Sequence, residues 1–479
     1  MIKIYKNKYL IIVIFVGLIL RLAFILFGAE LYFGRSNIFI DGDTFMWQKS
    51  IENLIEIGTY TLTPEEGRFS RMPGYSFFIG LFYLLFDKNW DIACEVIGWI
   101  QTLSDVYCIY LVFLISKKLF KNIKIALISS ILYSTYPFII VWCPVVYSEQ
   151  LSVLLILLGI LNYLKGQKST KSLICSGFLI SIAALTRPQI IPLGLILCLG
   201  TLINYNLKIK VRLQKAFIFG LTFILIFGIW PARNYILHNE IVITNKNEGF
   251  ANWQEDVISF MQYTYAVKTD WDPQYSSIIK NKKTTYPEIS YQNKKDSILL
   301  EETIDLCKNC GSGFSFKKGY WKKSFYAPNC NKIIENNFNY LREKQIENNP
   351  LNFYLWVPLQ NLKKAIFKTQ LYNTKSFSRK IASLLFYLRS LLIVIGIIGL
   401  ILIFKKGVHK FSIISMLFFS SIYLVLCFGT KPFMRNIEIR YFLPADILLL
   451  IPAAYTIYHL LYEKTYSNSL YHRFKSYFK

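Results

Sequence analysis

The chain has 479 residues, of which 54% are hydrophobic and 17% aromatic. A soluble protein of this length does not carry such an apolar fraction, because the excess would face water. The formal charge is +25, from 54 Lys and Arg against 29 Asp and Glu. Much of this excess lies in short clusters between apolar runs, where the positive-inside rule expects it. The composition therefore indicates a membrane protein and argues against a nucleic-acid partner.

Apolar runs that approach the length of a membrane span recur along almost the whole chain. Each spanning helix needs about 20 mostly apolar residues. The first run is too long for a signal peptide and lacks a small-residue cleavage site, so a signal anchor is expected. We predict about ten spans, near residues 9–28, 91–116, 124–142, 149–164, 172–186, 189–205, 215–232, 384–404, 411–428 and 441–461.

The basic clusters between the runs predict the orientation of the chain. Lys and Arg concentrate in short cytoplasmic loops, and the clusters alternate only if the segment from Pro73 to Phe86 does not cross the membrane. That segment is short and begins at a proline after a polar stretch, so an interfacial helix on the outer surface is expected. Both termini then face the cytoplasm in a multi-pass protein of the cytoplasmic (cell) membrane.

This topology divides the chain into three parts. Residues 1–232 form an N-terminal transmembrane module whose first outer loop is 29–90. Residues 233–383 form one large extracytoplasmic loop, the insertion, whose later half has helix-like apolar spacing broken at Pro350 and Pro358. Residues 384–479 form the last transmembrane helices and a basic cytoplasmic tail.

Ionisable residues gather at the predicted outer ends of several spans. Asp-Gly-Asp alone is typical of a turn, an arginine at a span end can reach the headgroups, and a glutamate can stabilise a helix N-terminus. Several such residues on one face are what a polar site at a membrane surface needs. The residues concerned are Asp41, Asp43, Arg71, Glu149, Arg187, Arg233 and Arg440.

These residue types suggest two kinds of chemistry. A carboxylate can deprotonate an acceptor hydroxyl, or it can hold a divalent cation such as Mg²⁺ or Mn²⁺, for which Asp41, Asp43 and Glu149 are the candidate ligands. Arginines match phosphate oxygens and stabilise charge on a leaving phosphate. Only four histidines are present, which argues against histidine-based nucleophilic or zinc chemistry.

At this point the chain resembles a known family. It is similar to membrane glycosyltransferases of the GT-C superfamily, in the branch of bacterial protein O-mannosyltransferases and the aminoarabinose transferase of lipid A. The oligosaccharyltransferase branch is disfavoured, because its Trp-Trp-Asp-Tyr-Gly signature is absent. The similar segments are Asp41-Gly42-Asp43, Ile57-Gly58-Thr59-Tyr60, Arg71-Met72-Pro73-Gly74-Tyr75, Ser148-Glu149, Leu185-Thr186-Arg187-Pro188, Trp230-Pro231-Ala232-Arg233-Asn234-Tyr235, Asn349-Pro350-Leu351-Asn352-Phe353 and Arg440-Tyr441-Phe442-Leu443-Pro444.

The resemblance implies a fold, a reaction and roles for residues. The fold is a GT-C-like bundle with outer-face juxtamembrane helices. The reaction is sugar transfer, with inversion, from a polyprenyl-phosphate donor to a glycan, lipid or protein acceptor outside the cytoplasm. By this resemblance Asp43 is the first candidate for the general base and Asp41 its rival, while Glu149 supports the acceptor site or a metal. Arg71, Arg233 and Arg440 are candidates for binding the donor phosphate, and Arg187 is a fourth whose alternative role is to cap its own span.

Three cysteines in the insertion leave three alternatives open. Cys307 and Cys310 are spaced as in a zinc ribbon and Cys330 follows, but no obvious fourth ligand lies near them. On an oxidising outer face, one disulfide and a free thiol is the second alternative. The third is no special role.

Two functions from other classes compete with sugar transfer. A transporter or flippase for lipid-linked glycans would place ionisable groups at mid-membrane on broken helices, whereas these charges lie at span ends. A non-catalytic scaffold of a glycan-assembly complex would keep its function without Asp41 and Asp43.

Overall fold

The computed structural model of the chain is built from helices. It describes residues 7–62, 71–166, 168–203, 207–244, 254–267, 271–316, 328–367, 376–405, 409–430, 434–435 and 437–463. Within these ranges no residue lies in a β-strand. The expectation of an all-α polytopic membrane protein is confirmed.

The helices before the insertion form the first part of the bundle. Phe24–Gly28 is a π-helical turn and Pro188–Ile190 a 3-10 turn. The α-helices are α1 (Lys8–Ala23), α2 (Ala29–Phe33), α3 (Thr44–Ile57), α4 (Pro73–Leu85), α5 (Trp90–Phe120), α6 (Ile123–Ser134), α7 (Pro137–Trp142), α8 (Ser148–Lys165), α9 (Thr170–Thr186), α10 (Ile191–Leu202), α11 (Ile209–Phe227) and α12 (Ile229–His238).

The insertion and the last spans follow. Glu288–Ser290 is a 3-10 turn, and Asn352–Trp356 and His459–Glu463 are π-helical turns. The α-helices are α13 (Glu255–Val267), α14 (Asp272–Ile279), α15 (Lys294–Asn309), α16 (Ser312–Phe316), α17 (Pro328–Asn348), α18 (Val357–Phe367), α19 (Ser376–Lys405), α20 (His409–Phe428) and α21 (Ile439–Tyr458).

The number of spans agrees with the expectation of about ten. By length and composition, 7 helices in the described part of the chain could cross a membrane. The other three predicted spans correspond to α9, to α10 with its preceding turn, and to α6 followed by α7. The seven helices are Lys8–Phe33, Trp90–Phe120, Ser148–Lys165, Ile209–His238, Ser383–Lys405, Lys410–Phe428 and Ile439–Tyr462.

The helix α4 is too short to span a bilayer. Its 13 residues extend about 20 Å, against about 30 Å for a hydrocarbon core. On one side Tyr75 and Ile79 are fully buried, while on the other Leu81 and Leu85 are exposed by 67% and 69%. An apolar helix that packs on the protein by one face and exposes the other fits the predicted position at the membrane surface.

The spans and the insertion have separate main hydrophobic cores. The spans share one core, in which α8 packs against α9, α5 against α6 and α19 against α21. The insertion has its own core around Phe260, Tyr263 and Phe338. As the proline pattern predicted, α17 ends at Asn348, just before Pro350.

Two ion pairs lie inside the bundle, where the sequence analysis had considered only charges at span ends. Arg21 on α1 pairs with Asp105 on α5, and both side chains are fully buried. Arg389 on α19 pairs with Asp446 on α21 at 2.7 Å. The sequence could have predicted that these residues are paired, because a charged residue within an apolar run needs a partner.

Candidate functional site

Most of the predicted site residues lie at helix ends that meet at one end of the bundle. Asp43 precedes α3, and Arg71 stands two residues before α4. Glu149 is in the first turn of α8, Arg187 follows the last residue of α9, and Arg440 is in the first turn of α21. Helix ends carry unpaired backbone groups and stay polar, so the packing of apolar helices brings these charged side chains together.

A glycine allows one of these close approaches. Gly74 in the first turn of α4 lies against the end of α9, and a Cβ atom there would be 2.7 Å from the carbonyl carbon of Leu185 and from the nitrogen of Thr186. Any larger residue would push the two backbones apart. Gly74 therefore keeps Arg71 and Arg187 at the same end of the bundle.

Asp43 is held between two arginines. Nη2 of Arg71 lies 2.8 Å from Oδ1 of Asp43, and Nη2 of Arg440 lies 2.6 Å from Oδ2. The Asp43 side chain is 22% exposed, and each of its carboxylate oxygens is paired with an arginine. Arg71 also lies over the ring of Trp47, and Arg440 over that of Tyr147. The rings hold both guanidinium groups toward the carboxylate.

The two arginines change the acidity of Asp43. Burial by itself would raise the pKa of this carboxyl, but the charges and hydrogen bonds of Arg440 and Arg71 outweigh it and hold the pKa well below the ordinary value. Asp43 is therefore ionised at neutral pH, and in this arrangement it is a weak base.

Asp41 is not part of the clamp that Arg71 and Arg440 form around the Asp43 carboxylate. Its carboxylate pairs with Arg35 at 2.5 Å and accepts a hydrogen bond from the backbone nitrogen of Gly42 at 2.7 Å. Asp41 thus performs the turn function that Asp-Gly-Asp predicts, and Asp43 alone of the two contacts the predicted phosphate-binding arginines.

Glu149 and Arg187 form a buried pair next to Arg440. Oε1 of Glu149 lies 2.6 Å from Nη1 of Arg187 and 3.9 Å from Nε of Arg440. The side chains of Glu149 and Arg187 are 1% and 5% exposed. Arg187 also donates to Ser148. In this arrangement Arg187 is therefore paired with Glu149, and its expected role in binding the donor stays a prediction.

Arg233 reaches the same region through Tyr60. Nη2 of Arg233 donates to the carbonyl oxygen of Tyr60 at 3.0 Å, and the Tyr60 hydroxyl donates to the carbonyl oxygen of Arg71 at 3.1 Å. Arg233 also lies over the ring of Trp230. Within the described ranges no carboxylate forms an ion pair with Arg233.

The three candidate metal ligands do not converge. Asp41 pairs with Arg35, Asp43 with Arg71 and Arg440, and Glu149 with Arg187. In the part of the chain that the structure describes, no three His, Cys, Asp or Glu residues lie close enough to share a metal. A cation held by all three acids therefore does not fit this arrangement, and we derive no step through one.

Glu438 belongs to the site but was not among its predicted members. Its carboxylate lies 2.6 Å from Nε of Arg440. The sequence feature that could have identified Glu438 is its position two residues before Arg440, just ahead of the last span. The acids and arginines therefore alternate from Arg71 through Asp43 and Arg440 to Glu149 and Arg187.

The described part of the insertion contains a disulfide. Cys310 and Cys330 are joined by an S–S bond, which is the arrangement of one disulfide and a free thiol. Cys307 is a fully buried free thiol, and burial raises its pKa well above the ordinary value. A thiol kept neutral in this way is a packing residue.

The fold is similar to that of known membrane enzymes. Residues 70–230 match the family model described as "Dolichyl-phosphate-mannose-protein mannosyltransferase". The archaeal oligosaccharyltransferase AglB from Archaeoglobus fulgidus, solved with an inhibitory peptide and a dolichol-phosphate, aligns with a TM-score of 0.50 and 12% identity. The alignment covers 97% of this chain and 52% of AglB. This chain has a GT-C fold.

The resemblance to the GT-C superfamily expected from the motifs is thus confirmed at the level of the fold. ArnT from Cupriavidus metallidurans bound to undecaprenyl phosphate is also similar to this chain, with 12% identity, a TM-score of 0.37, and coverage of 93% of this chain and 77% of ArnT. The chain spans about half the length of the AglB structure. Among curated proteins none gives a significant match.

Proposed function

We propose that this chain is an inverting glycosyltransferase that moves a sugar from a polyprenyl-phosphate donor to an acceptor on the extracytoplasmic side of the membrane. The observation that carries the proposal is the position of Asp43 between Arg71 and Arg440. A base and a cationic clamp in direct contact are the two parts that the reaction needs. The family description and the dolichol-phosphate bound to AglB support a lipid-phosphate donor.

The proposed step is a single displacement. The oxygen of the acceptor hydroxyl forms a bond to the anomeric carbon while the bond from that carbon to the phosphate oxygen breaks on the opposite side, which inverts the configuration. Asp43 takes the hydroxyl proton. The polyprenyl phosphate leaves with the bonding electron pair, and Arg71, Arg440 and Arg233 stabilise its charge.

The clamp on Asp43 implies an order of binding. A donor phosphate competes with the Asp43 carboxylate for Arg71 and Arg440, because both are oxyanions that match a guanidinium. When the phosphate takes these arginines, the pKa of Asp43 returns toward its ordinary value and the carboxylate becomes a stronger base. The donor therefore binds first, and the base is activated only in the presence of the leaving group.

Glu149 acts through Arg440 in this proposal. Glu149 pairs with Arg187 and lies 3.9 Å from Nε of Arg440. Its charge therefore keeps the Arg440 guanidinium in position when the donor phosphate breaks the ion pair between Arg440 and Asp43. Glu149 is then a positioning residue for the clamp. The insertion covers the acceptor, which is a glycan, a lipid or a protein.

The test is a transfer assay with purified protein, a panel of polyprenyl-phosphate sugars and candidate acceptors, with released polyprenyl phosphate measured by mass spectrometry. Asp43→Asn is expected to slow release by about 10²-fold or more, the scale of a lost general base. Asp41→Asn is the matched control, since Asp41 is an acid of the same loop that faces Arg35, and it should retain turnover. Loss in Asp41→Asn with retention in Asp43→Asn would reverse the assignment of the base.

Transport of a lipid-linked glycan is the second candidate, because two ion pairs lie among the spans. In both pairs, however, the carboxylate also accepts a hydrogen bond from a tyrosine. Oδ1 of Asp105 accepts from Tyr133 at 2.5 Å, and Oδ1 of Asp446 accepts from Tyr423 at 2.6 Å. In the described part of the chain the side chains of both pairs thus bond to protein groups, which favours sugar transfer over transport. Movement of a fluorescent polyprenyl-phosphate sugar across proteoliposomes without any acceptor would favour transport instead.

A further inference from the structure

A second group of arginines lies where the insertion meets the loop between α20 and α21. Arg435 is 1% exposed. Its guanidinium donates to the carbonyl oxygens of Gly429 at 3.0 Å, Tyr265 at 2.9 Å and Phe353 at 2.9 Å. Tyr265 and Phe353 belong to the insertion and Gly429 to the loop. Arg435 therefore joins the two parts.

No carboxylate balances this charge in the described part of the chain. A second arginine, Arg342 on α17, lies close enough for its charge to act on Arg435. Burial and the charge of Arg342 lower the pKa of Arg435 to about 10. Both guanidinium groups lie over the ring of Phe353, Arg435 at 4.4 Å and Arg342 at 5.9 Å. Two like charges brought together in this way favour an anion between them.

The two arginines line a small pocket together with Gln262 and Thr430. It is far smaller than the roughly 300–1,000 Å³ of pockets for drug-sized ligands, so only a small group fits it. Guanidinium, amide and hydroxyl donors together match the oxygens of a phosphate.

The surroundings indicate that the pocket lies at the level of lipid headgroups. The turn that carries Phe353 exposes large apolar side chains: Leu351 by 67%, Tyr354 by 59% and Trp356 by 56%. Aromatic residues exposed in this way are typical of the boundary between headgroups and acyl chains. A phosphate at that depth belongs to a lipid.

We propose that Arg342 and Arg435 bind the phosphate of a lipid headgroup, at a site separate from the one around Asp43. The bound phosphate neutralises the two arginines and fixes the loop that leads to Arg440. This site does not depend on sugar transfer, so either proposal can fail alone.

The test measures the thermal unfolding midpoint of the full-length protein in neutral detergent. The probes are water-soluble dihexanoyl phosphatidic acid, dihexanoylglycerol as its phosphate-free counterpart, and inorganic phosphate at constant ionic strength. Arg342→Gln removes one charge and leaves the contacts of Arg435 in place. The matched control is Lys332→Gln, an exposed cation on the same helix. Arg71→Gln separates any response that comes from the site around Asp43.

Phosphatidic acid is expected to raise the midpoint by about 3 °C or more near saturation in the wild type, in Lys332→Gln and in Arg71→Gln. The rise should be absent in Arg342→Gln and with dihexanoylglycerol. A rise with inorganic phosphate of the same size and the same dependence on Arg342 would replace the lipid headgroup by free phosphate as the ligand. An equal response in wild type and Arg342→Gln, or a response lost only in Arg71→Gln, would overturn the second site.

Discussion

The carboxylate of Asp43 lies 2.6 Å from Nη2 of Arg440, although the two residues come from opposite ends of the chain. The contact joins the first loop to the start of the last span. Because Arg440 is also 2.6 Å from Glu438 and 3.9 Å from Glu149, a change in any one of these residues alters the field at the others. Substitutions within this group should therefore be non-additive.

Loss of the clamp should reduce turnover strongly. We expect Arg440→Gln and Arg71→Gln each to lower turnover by about 10²-fold, the scale of one lost group that stabilises transition-state charge. The measurement is release of polyprenyl phosphate at saturating donor. The control is Lys49→Gln, since Lys49 is an exposed cation of α3 that pairs with Glu52. Turnover within about twofold of wild type in both arginine variants would contradict the clamp.

The acid limbs of the pH profiles should differ. In the free protein the pKa of Asp43 is held well below its ordinary value, so the base stays ionised as the pH falls. In the donor complex the phosphate takes the arginines, and the pKa rises toward the ordinary value of about 3.9. Since kcat/KM for the donor reports the free enzyme and kcat the complex, the acid limb of kcat should lie at higher pH. Coincident limbs would argue that the donor leaves the clamp intact.

Glu149→Gln should destabilise the protein more than removal of both partners. The single change leaves Arg187 buried without its charge partner, which typically costs about 3–5 kcal/mol. The double variant Glu149→Gln/Arg187→Gln should recover much of this loss. Thermal unfolding of the wild type, the two single variants and the double variant gives the coupling free energy between Glu149 and Arg187. Additive effects would show that the pair contributes little.

The labelling of cysteines by a thiol reagent should depend on the disulfide between Cys310 and Cys330. In the native protein a maleimide should leave Cys307 unlabelled because it is buried. Reduction should add label at Cys310 and Cys330. The bond closes a segment with a sequence separation of 20, for which the loop-entropy relation gives about 3 kcal/mol. The Cys310→Ser/Cys330→Ser variant should therefore be cleaved faster in the insertion by a protease, and equal cleavage rates would contradict a stabilising bond.

Several features of the fold could be predicted from the sequence because they depend on local composition. The apolar runs predicted about ten spans, and the length and proline of the segment from Pro73 predicted a helix that does not cross the membrane. The alternation of basic clusters supported that assignment and left the acids and arginines together at span ends. The contacts among Asp43, Arg71, Glu149, Arg187 and Arg440 are consistent with that expectation.

Pairings could not be predicted, because each depends on which helices pack against one another. The resemblance put Asp43 first and Asp41 second as the base, but only the packing of α21 beside the first loop shows that Asp43 contacts Arg440 while Asp41 pairs with Arg35. It gave Arg187 as a fourth candidate for the donor or as a cap of its span, and only the approach of α9 to α8 shows that Arg187 pairs with Glu149.

By itself the sequence determined that this is a polytopic membrane protein, where its spans lie and which charged residues end them, since hydropathy and charge can be read residue by residue. Only the tertiary structure decided the partners: Asp43 with Arg71 and Arg440, Arg21 with Asp105, Arg389 with Asp446, and Cys310 with Cys330. The physical reason is distance. Ion pairs, hydrogen bonds and disulfides act over a few ångströms, and residues far apart in the chain reach that range only when the helices have packed.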